Sequence, residues 1–119
     1  QGGICENHRR QRMSMKEHTK ISPDTRRKVR KRDKGCCILC SRPWYLECAH
    51  YISRAQGGMG IPENLVMLCR DCHFKYDNGG YREEFGRYIR DYLNSAYKKW
   101  DERKLVYDKY SWVGGNDED

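Results

Sequence analysis

The clearest pattern of hydrophobic and polar positions lies in the segment 81–100. Apolar residues recur there at spacings of three and four, namely Tyr81, Phe85, Tyr88, Ile89, Tyr92, Leu93, Ala96, Tyr97 and Trp100. This period predicts an amphipathic helix over 81–100 with one wide apolar face and charged residues opposite. The aromatic rings could stack on nucleic-acid bases, but the periodicity favours packing against a core.

Shorter patterns upstream predict a hairpin followed by a helix. Residues 45–52 and 65–68 are apolar runs that predict two short strands. The glycine-rich segment 56–60 between them predicts a flexible loop. Residues 72–77 predict a helix, which Asn78-Gly79-Gly80 ends. The order strand, loop, strand, helix predicts a small α+β fold.

A third helix is predicted ahead of the hairpin. Ser22-Pro23-Asp24 offers a hydroxyl N-cap, a proline at the first helical position and an acid near the positive end of the helix dipole. The helix would run through Arg32 to near Asp33. It has almost no apolar stripe, so burial is not expected to hold it strongly. We interpret it as a helix that faces phosphates, with an idle solvated helix as the alternative.

The chain of 119 residues has room for one domain with a modest core. We predict a flexible basic arm over 1–21, a single domain over 22–113 with its centre in 36–80, and a frayed acidic tail over 114–119. The mean hydropathy of -1.09 is low for a globular protein. A structural metal is therefore expected to help stabilise the fold.

The net charge of +7 is concentrated at the N-terminal end of the sequence. Residues 1–35 carry twelve Lys and Arg against four acids, whereas residues 36–80 carry four of each. Such an arm fits attraction to a nucleic-acid backbone, although a basic run can also be a solvated face. The charge therefore makes DNA an expected partner. No run approaches the roughly 20 apolar residues of a membrane span, so a membrane is not expected as a partner.

The cysteines form two Cys-x-x-Cys pairs, Cys37/Cys40 and Cys69/Cys72. Seven cysteines could suggest a disulfide framework, but the odd count and the paired spacing favour zinc. Four thiolates would make a closed tetrahedral site, which is structural because no coordination position stays open. Zinc thiolates in turn imply a reducing, cytosolic setting.

An ordered set of residues resembles a known family. The set is Cys37-x-x-Cys40, Ala49-His50, Gly57-Gly58, Glu63-Asn64-Leu65, Cys69-x-x-Cys72-His73 and Asp77. It resembles the HNH endonucleases of the ββα-metal (His-Me finger) class, and most of all the small phage-encoded proteins with two Cys-x-x-Cys pairs. The resemblance covers about 26–80. It implies a ββα-metal hairpin and helix braced by a four-cysteine zinc site, with flanking N- and C-terminal helices.

The resemblance also implies roles for four residues. His50 would be the general base, Asn64 would fix the loop and orient His50, and His73 with Asp77 would hold Mg²⁺, Mn²⁺ or another divalent ion. The implied reaction is hydrolysis of DNA to 5′-phosphate and 3′-hydroxyl ends. The chemistry agrees, because histidine titrates near neutrality and residues four apart share one helix face. Taken singly, His50 could be a core residue, Asn64 a turn former and Asp77 an ordinary helix acid.

The predicted DNA contacts lie on the first helix and in the loop. They are Arg26, Arg27, Lys28, Arg30, Lys31, Arg32 and Arg54.

One position departs from the family pattern. Family members usually carry Asp or His as a metal ligand immediately before the general base, and here that residue is Ala49. Three explanations are open. The metal could be held by His73, Asp77 and additional water, another acid such as Glu47 could reach it, or catalysis could be weakened. The first is favoured because Mg²⁺ tolerates a water-rich shell.

The leading functional hypothesis is therefore a metal-dependent DNA endonuclease that nicks or cuts both strands. The alternatives are a non-catalytic zinc-braced DNA-binding module and an adaptor in phage DNA packaging. The resemblance implies phage terminase and portal as partners and the cytoplasm of a bacterial host as the location. Cutting both strands would favour a homodimer or two successive nicks.

Overall fold

The computed structural model describes residues 15–107. The helices are α1 (Met15–Thr19), α2 (Pro23–Arg32), α3 (Arg70–Asp77) and α4 (Arg82–Ala96), and the strands are β1 (Leu46–His50) and β2 (Leu65–Cys69). Short 3-10 turns span Arg54–Gln56, Pro62–Asn64 and Glu102–Leu105. The small α+β fold, a hairpin followed by a helix with flanking helices, is the one predicted. None of the helices in 15–107 combines the length and apolar character that a membrane crossing requires.

The antiparallel hairpin is the central layer of the molecule. Its register pairs Leu46 with Cys69 at one end and His50 with Leu65 at the other. Every residue of β2 is buried. Its alternate side chains enter two different clusters, which explains why this strand is a continuous apolar run.

The larger cluster lies between the hairpin, α3 and α4. It contains Cys37, Ala49, Val66, Leu68, Cys69, Cys72, Tyr76, Ile89 and Leu93. Ile89 and Leu93 are fully buried, so the predicted core-packing role of the α4 face is confirmed. The helix is shorter than the predicted 81–100, because Tyr97 adopts extended backbone angles and its N–H closes the last turn on Leu93 O.

The helix α2 begins as predicted but is anchored more firmly than expected. The Ser22 hydroxyl accepts from the Thr25 N–H, which caps the N-terminus. Val29 is fully buried in the smaller cluster. Immediately after the helix, a buried Asp33 carboxylate accepts the Met67 N–H at 2.8 Å. The helix offers only this one buried apolar side chain, Val29, and polar side chains fasten it to β2 in addition.

Arg32 supplies most of this polar anchor. Its guanidinium donates to Pro62 O at 2.8 Å, to Leu65 O at 2.6 Å and to the Tyr97 hydroxyl at 2.9 Å, and it pairs with Asp33. Burial alone would lower the pKa of Arg32, but Asp33 and Tyr97 raise it above its usual range. The prediction that Arg32 contacts DNA is corrected here, because its donors are used inside the protein.

The predicted arm 1–21 is ordered in its last part. Residues 15–19 form α1, and Thr19 is only 2% exposed. Residues 1–14 and the predicted tail 114–119 lie outside the described residues. The division into arm, domain and tail otherwise stays a prediction.

Candidate active site and thiol cluster

The four predicted zinc ligands come together at one end of the hairpin. Cys37 and Cys40 precede β1, Cys69 ends β2, and Cys72 lies in the first turn of α3. Their sulfur atoms all lie within 4.8 Å of one another. Cys40 Sγ is 3.6 Å from Cys69 Sγ. A tetrahedral ion with Zn–S bonds of about 2.3 Å needs sulfurs about 3.8 Å apart, so the cluster fits zinc.

The local structure prepares one of these thiols for ionisation. Cys69 is the N-cap of α3, and its sulfur accepts the Cys72 N–H at 3.4 Å. Burial opposes ionisation of this thiol, but donation from Cys72 and the thiol of Cys40 lowers its pKa to about 7. No disulfide joins the cysteines in residues 15–107, all of which are free. The donor set therefore suits a metal site better than a disulfide framework.

His50 lies at the opposite end of the hairpin. Its Nε2 is 2.8 Å from the carbonyl oxygen of Thr19. A carbonyl oxygen only accepts hydrogen bonds, so Nε2 carries the proton in the neutral ring and Nδ1 does not. The contact thus leaves Nδ1 as the basic atom of His50.

The surroundings of His50 favour its neutral form. Burial lowers the pKa of His50 below its ordinary value, and the charge of Arg54 acts in the same direction. The hydrogen bond to Thr19 and the charge of Asp77 oppose this shift without reversing it. These surroundings favour the neutral imidazole of His50, which is the state that a general base requires.

His73 lies between two carboxylates. Its Nδ1 is 2.7 Å from Glu47 Oε1, and its Nε2 is 3.0 Å from Asp77 Oδ2. Two adjacent ligands of an octahedral cation with bonds of about 2.1 Å lie about 3.0 Å apart. His73 Nε2 and Asp77 Oδ2 therefore fit one divalent ion, while Glu47 holds the other ring nitrogen as metal-ligating histidines require. Arg82 Nη1 fixes the second Asp77 oxygen at 3.2 Å.

Ala49 offers no ligand to this site. It is fully buried in the larger core cluster. Glu47 does reach the region, as one of the three explanations expected, but it contacts His73 Nδ1. Its position is that of a residue that orients the imidazole, so the geometry agrees best with His73 and Asp77 as the protein ligands and water completing the shell.

Asn64 fastens the loop that follows β1. It is fully buried, and its Oδ1 accepts the Ile52 N–H at 2.9 Å. Its Nδ2 donates to Ile52 O at 3.2 Å and to Met59 O at 2.9 Å. A Cβ at Gly58 would lie 1.7 Å from Ile52 O, so the loop also needs this glycine. Asn64 makes these contacts with the loop backbone, and the contact that orients the His50 ring comes from Thr19.

The helix α1 contributes to the site in a way that the sequence did not reveal. Arg54 donates to Thr19 Oγ1 at 3.2 Å and to Lys16 O at 3.3 Å. The Gly60 N–H donates to His18 O at 3.0 Å. Arg54 makes these contacts while remaining exposed, so its contact with DNA stays a prediction. The sequence carries no signal for the contact between α1 and His50, because the group that accepts the hydrogen bond is a main-chain carbonyl, that of Thr19, in a polar segment.

The remaining predicted DNA contacts lie on the outer surface of α2. Arg26, Arg27, Lys28, Arg30 and Lys31 are all exposed. Arg27 forms an ion pair with Asp24. The side chains are available to a large ligand, and their contact with DNA stays a prediction.

Comparisons with known proteins agree with this geometry. The family model of the HNH endonucleases matches residues 37–79. A solved structure, that of the Type IV phosphorothioation-dependent restriction endonuclease ScoMcrA, shares the fold with a TM-score of 0.52 and 24% identity. The match covers 64% of this chain and 20% of that chain, so this chain corresponds to about a fifth of the restriction enzyme. No curated protein matches the sequence. The match to the HNH endonuclease family model therefore covers residues 37–79, which include both cysteine pairs, His50, Asn64 and His73.

Proposed function

We propose that the protein is a metal-dependent endonuclease that hydrolyses DNA phosphodiester bonds. The observation that carries the proposal is the pairing of His73 Nε2 with Asp77 Oδ2 at 3.0 Å, on the same hairpin and helix unit as His50. A base and a cation site are the two groups that this hydrolysis requires.

His50 would act as the general base. Its Nδ1 accepts the proton of the attacking water, and the Thr19 carbonyl keeps Nε2–H in place. The same carbonyl stabilises the imidazolium that results, because the hydrogen bond strengthens when the donor is charged. Thr19 is thus a positioning residue that acts through its main chain.

His73 and Asp77 would hold Mg²⁺, Mn²⁺ or a similar ion. A divalent cation bound there supplies positive charge that stabilises the scissile phosphate and the leaving 3′ oxygen. Glu47 keeps the His73 ring in the orientation that exposes Nε2, and Arg82 restrains the Asp77 carboxylate. Both contacts organise the site before substrate arrives.

The four cysteines would hold structural zinc. Their cluster joins the turn before β1 to the first turn of α3. It therefore sets the position of α3, and with it His73, relative to the strand that carries Glu47 and His50. The exposed cations of α2 and the basic arm would attract the DNA backbone.

A plasmid-nicking assay tests the proposal. Relaxed or linear DNA should appear with Mg²⁺ or Mn²⁺, should be absent with EDTA, and should fall by about 10² to 10⁴-fold for His50→Ala. A Tyr88→Ala variant serves as the control, because Tyr88 is 54% exposed on α4 and has no part in the proposed mechanism. Plasmid that stays intact with every divalent metal would refute the proposed endonuclease activity.

One observation favours a second candidate, a non-catalytic zinc-braced DNA-binding module. Ala49 is fully buried where the family usually has a metal ligand. The two candidates differ in one measurement, since a binding module would retard DNA in a gel without ever cutting it. A packaging adaptor would do neither by itself.

The resemblance extends the proposal to a biological setting. We infer a phage-encoded protein in the bacterial cytoplasm that acts beside terminase and portal, and a homodimer if both strands are cut. Size measurement with and without DNA tests the dimer, and co-purification with those two proteins tests the partners.

A further inference from the structure

An aromatic surface lies beside α3, outside the residues that the mechanism uses. Three of its side chains are strongly exposed, Trp44 at 58%, Tyr45 at 69% and Phe74 at 60%. Large exposed apolar side chains that lie together mark a binding surface more often than an idle one. Since Trp44 and Tyr45 precede β1 and Phe74 lies on α3, the fold brings them together from separate parts of the chain.

These rings line a groove of about 500 Å³, which we call the aromatic groove. Its lining residues are Arg42, Trp44, Tyr45, Cys69, Arg70, Asp71 and Phe74. Sites for small ligands enclose roughly 300–1,000 Å³. The groove is therefore large enough to accept a planar group the size of a nucleobase.

Two guanidinium groups at the aromatic groove can donate to phosphates, and each already faces negative neighbours, the Cys40 and Cys69 thiols for Arg42 and the Glu47 carboxylate for Arg70. Arg42 and Arg70 line it. Its acid, Asp71, is paired with Lys75 at 3.3 Å. The Arg70 guanidinium lies 5.4 Å from the centre of the Tyr45 ring, and its Nε is 3.5 Å from a Glu47 oxygen. Aromatic faces interleaved with arginine are the combination that binds unpaired nucleic-acid strands.

The backbone holds one of the rings in a defined position. Tyr45 has a φ of 55°, a left-handed conformation that is costly for a bulky side chain. The Arg70 N–H donates to Tyr45 O at 2.8 Å and fixes this turn against α3. The ring is consequently presented to solvent by an ordered backbone, which reduces the entropy lost when a ligand stacks on it.

The aromatic groove adjoins the candidate metal site. Phe74 directly follows His73 on α3, and Arg70 contacts the same Glu47 carboxylate that holds His73. A strand whose scissile phosphate lies at His73 therefore has the groove within reach of its neighbouring nucleotides.

We propose that the aromatic groove binds unpaired bases of the DNA strand next to the cleavage site. Trp44 and Phe74 supply the stacking faces, while Arg42 and Arg70 contact the flanking phosphates. This inference rests on the proposed function, since it assigns the substrate feature that the same site recognises. It predicts a preference for single-stranded or locally unpaired DNA over a perfect duplex.

The test measures binding in buffer without added Mg²⁺ or Mn²⁺, so that cleavage is suppressed while the zinc is retained. The full chain with zinc is titrated against an end-labelled short oligothymidylate and against a duplex of equal length. Trp44→Ala and Phe74→Ala should each weaken binding of the single strand about tenfold and leave duplex binding nearly unchanged. Tyr88→Ala is the matched control, because Tyr88 is an aromatic residue that is 54% exposed on α4. Arg42→Gln should reduce the slope of log affinity against log salt concentration by about the amount that one phosphate contact contributes.

The outcomes separate this inference from the function on which it rests. Equal single-strand affinity in wild type, Trp44→Ala and Phe74→Ala would overturn the groove proposal and leave the nuclease intact. An equal loss on single strand and duplex would also overturn it. If the variants change only the self-association of the protein, the surface is a protein interface and the proposal fails. Failure of the wild type to bind or cut any DNA would refute the proposed function itself.

Discussion

The two ends of the hairpin are held by different kinds of contact. At the end where Leu46 pairs with Cys69, four thiols within 4.8 Å of one another join the strands to α3. At the end where His50 pairs with Leu65, the loop is held by the Asn64 side chain and the base by the Thr19 carbonyl. The thiol end lies inside the segment that matches the family, whereas Thr19 lies outside it. The contacts that hold the thiol end therefore lie within the matched segment, whereas the contact that orients the His50 ring comes from outside it.

Breaking the thiol end should have the largest effect. Cys69→Ser removes one of four ligands from a cluster in a small domain, and loss of a structural metal is comparable to the whole stability of about 5–15 kcal/mol. We expect the variant to lose zinc and to unfold, as measured by metal content and circular dichroism. Cys36→Ser is the control, since Cys36 is a free cysteine outside the cluster. A folded, fully active Cys69→Ser variant without zinc would contradict the structural role.

At the other end of the hairpin, Asn64→Ala should have the next largest effect. The substitution removes three hydrogen bonds and leaves the Ile52 and Met59 main-chain groups without their partner, at about 1–3 kcal/mol for each group left unsatisfied. We expect a lower thermal midpoint, with zinc retained and the thiol end intact. Loss of activity with an unchanged midpoint would instead indicate that Asn64 acts directly in the chemistry.

The contrast between the two ends explains which parts sequence could predict. The cysteine pairs, His73 with Asp77 and the α4 stripe depend on side-chain type and spacing, and these patterns are visible in the chain. The anchor of α2 was missed because Arg32 and Asp33 are charged residues that bury themselves against main-chain groups of residues 62–67. Charge alone does not distinguish a cation that meets phosphate from one that meets carbonyls of its own fold.

Sequence is equally unable to predict the contact that fixes the proposed general base, His50. His50 was predicted from the order of residues around it, but its tautomer depends on a carbonyl thirty-one positions earlier. Any residue carries that carbonyl, so composition cannot mark it. Arg54 and Gly60, which dock α1, likewise carry no sequence signature of that role.

Gly60→Ala tests the docking of α1 without touching the base. A Cβ at Gly60 would lie 2.1 Å from Lys20 O and 3.0 Å from Thr19 O, so the segment that orients His50 must move. We expect kcat to fall by about 10 to 100-fold with DNA affinity unchanged, since a misplacement of about 1 Å can cost that much.

Two comparisons make this result specific. Gly86→Ala meets only the Tyr76 ring at ordinary contact distance and should retain activity. Equal activity in Gly60→Ala and wild type would show that the Thr19 contact does not position the base.

Arg54→Ala should have the smallest effect, which is a shift in pH dependence. Burial is the main reason that the pKa of His50 is lowered, and Arg54 adds to it. Removing the charge raises this pKa toward the ordinary value of about 6.5. Because the base must be neutral, the acid limb of kcat/KM should move to higher pH, whereas a fall of the rate at pH 8 would report the lost hydrogen bonds to α1.

The direction of the His50 pKa shift can be checked independently by measuring the free energy of unfolding against pH. A histidine whose pKa is lowered by folding binds fewer protons in the folded state, so stability present above about pH 6.5 is lost as the pH falls through that value. Arg54→Ala should reduce this loss, and Arg54→Lys, which retains the positive charge, should preserve it. An acid limb that moves equally in Arg54→Ala and Arg54→Lys would show that the hydrogen bonds to Thr19 and Lys16, and not the charge, set the pKa of His50.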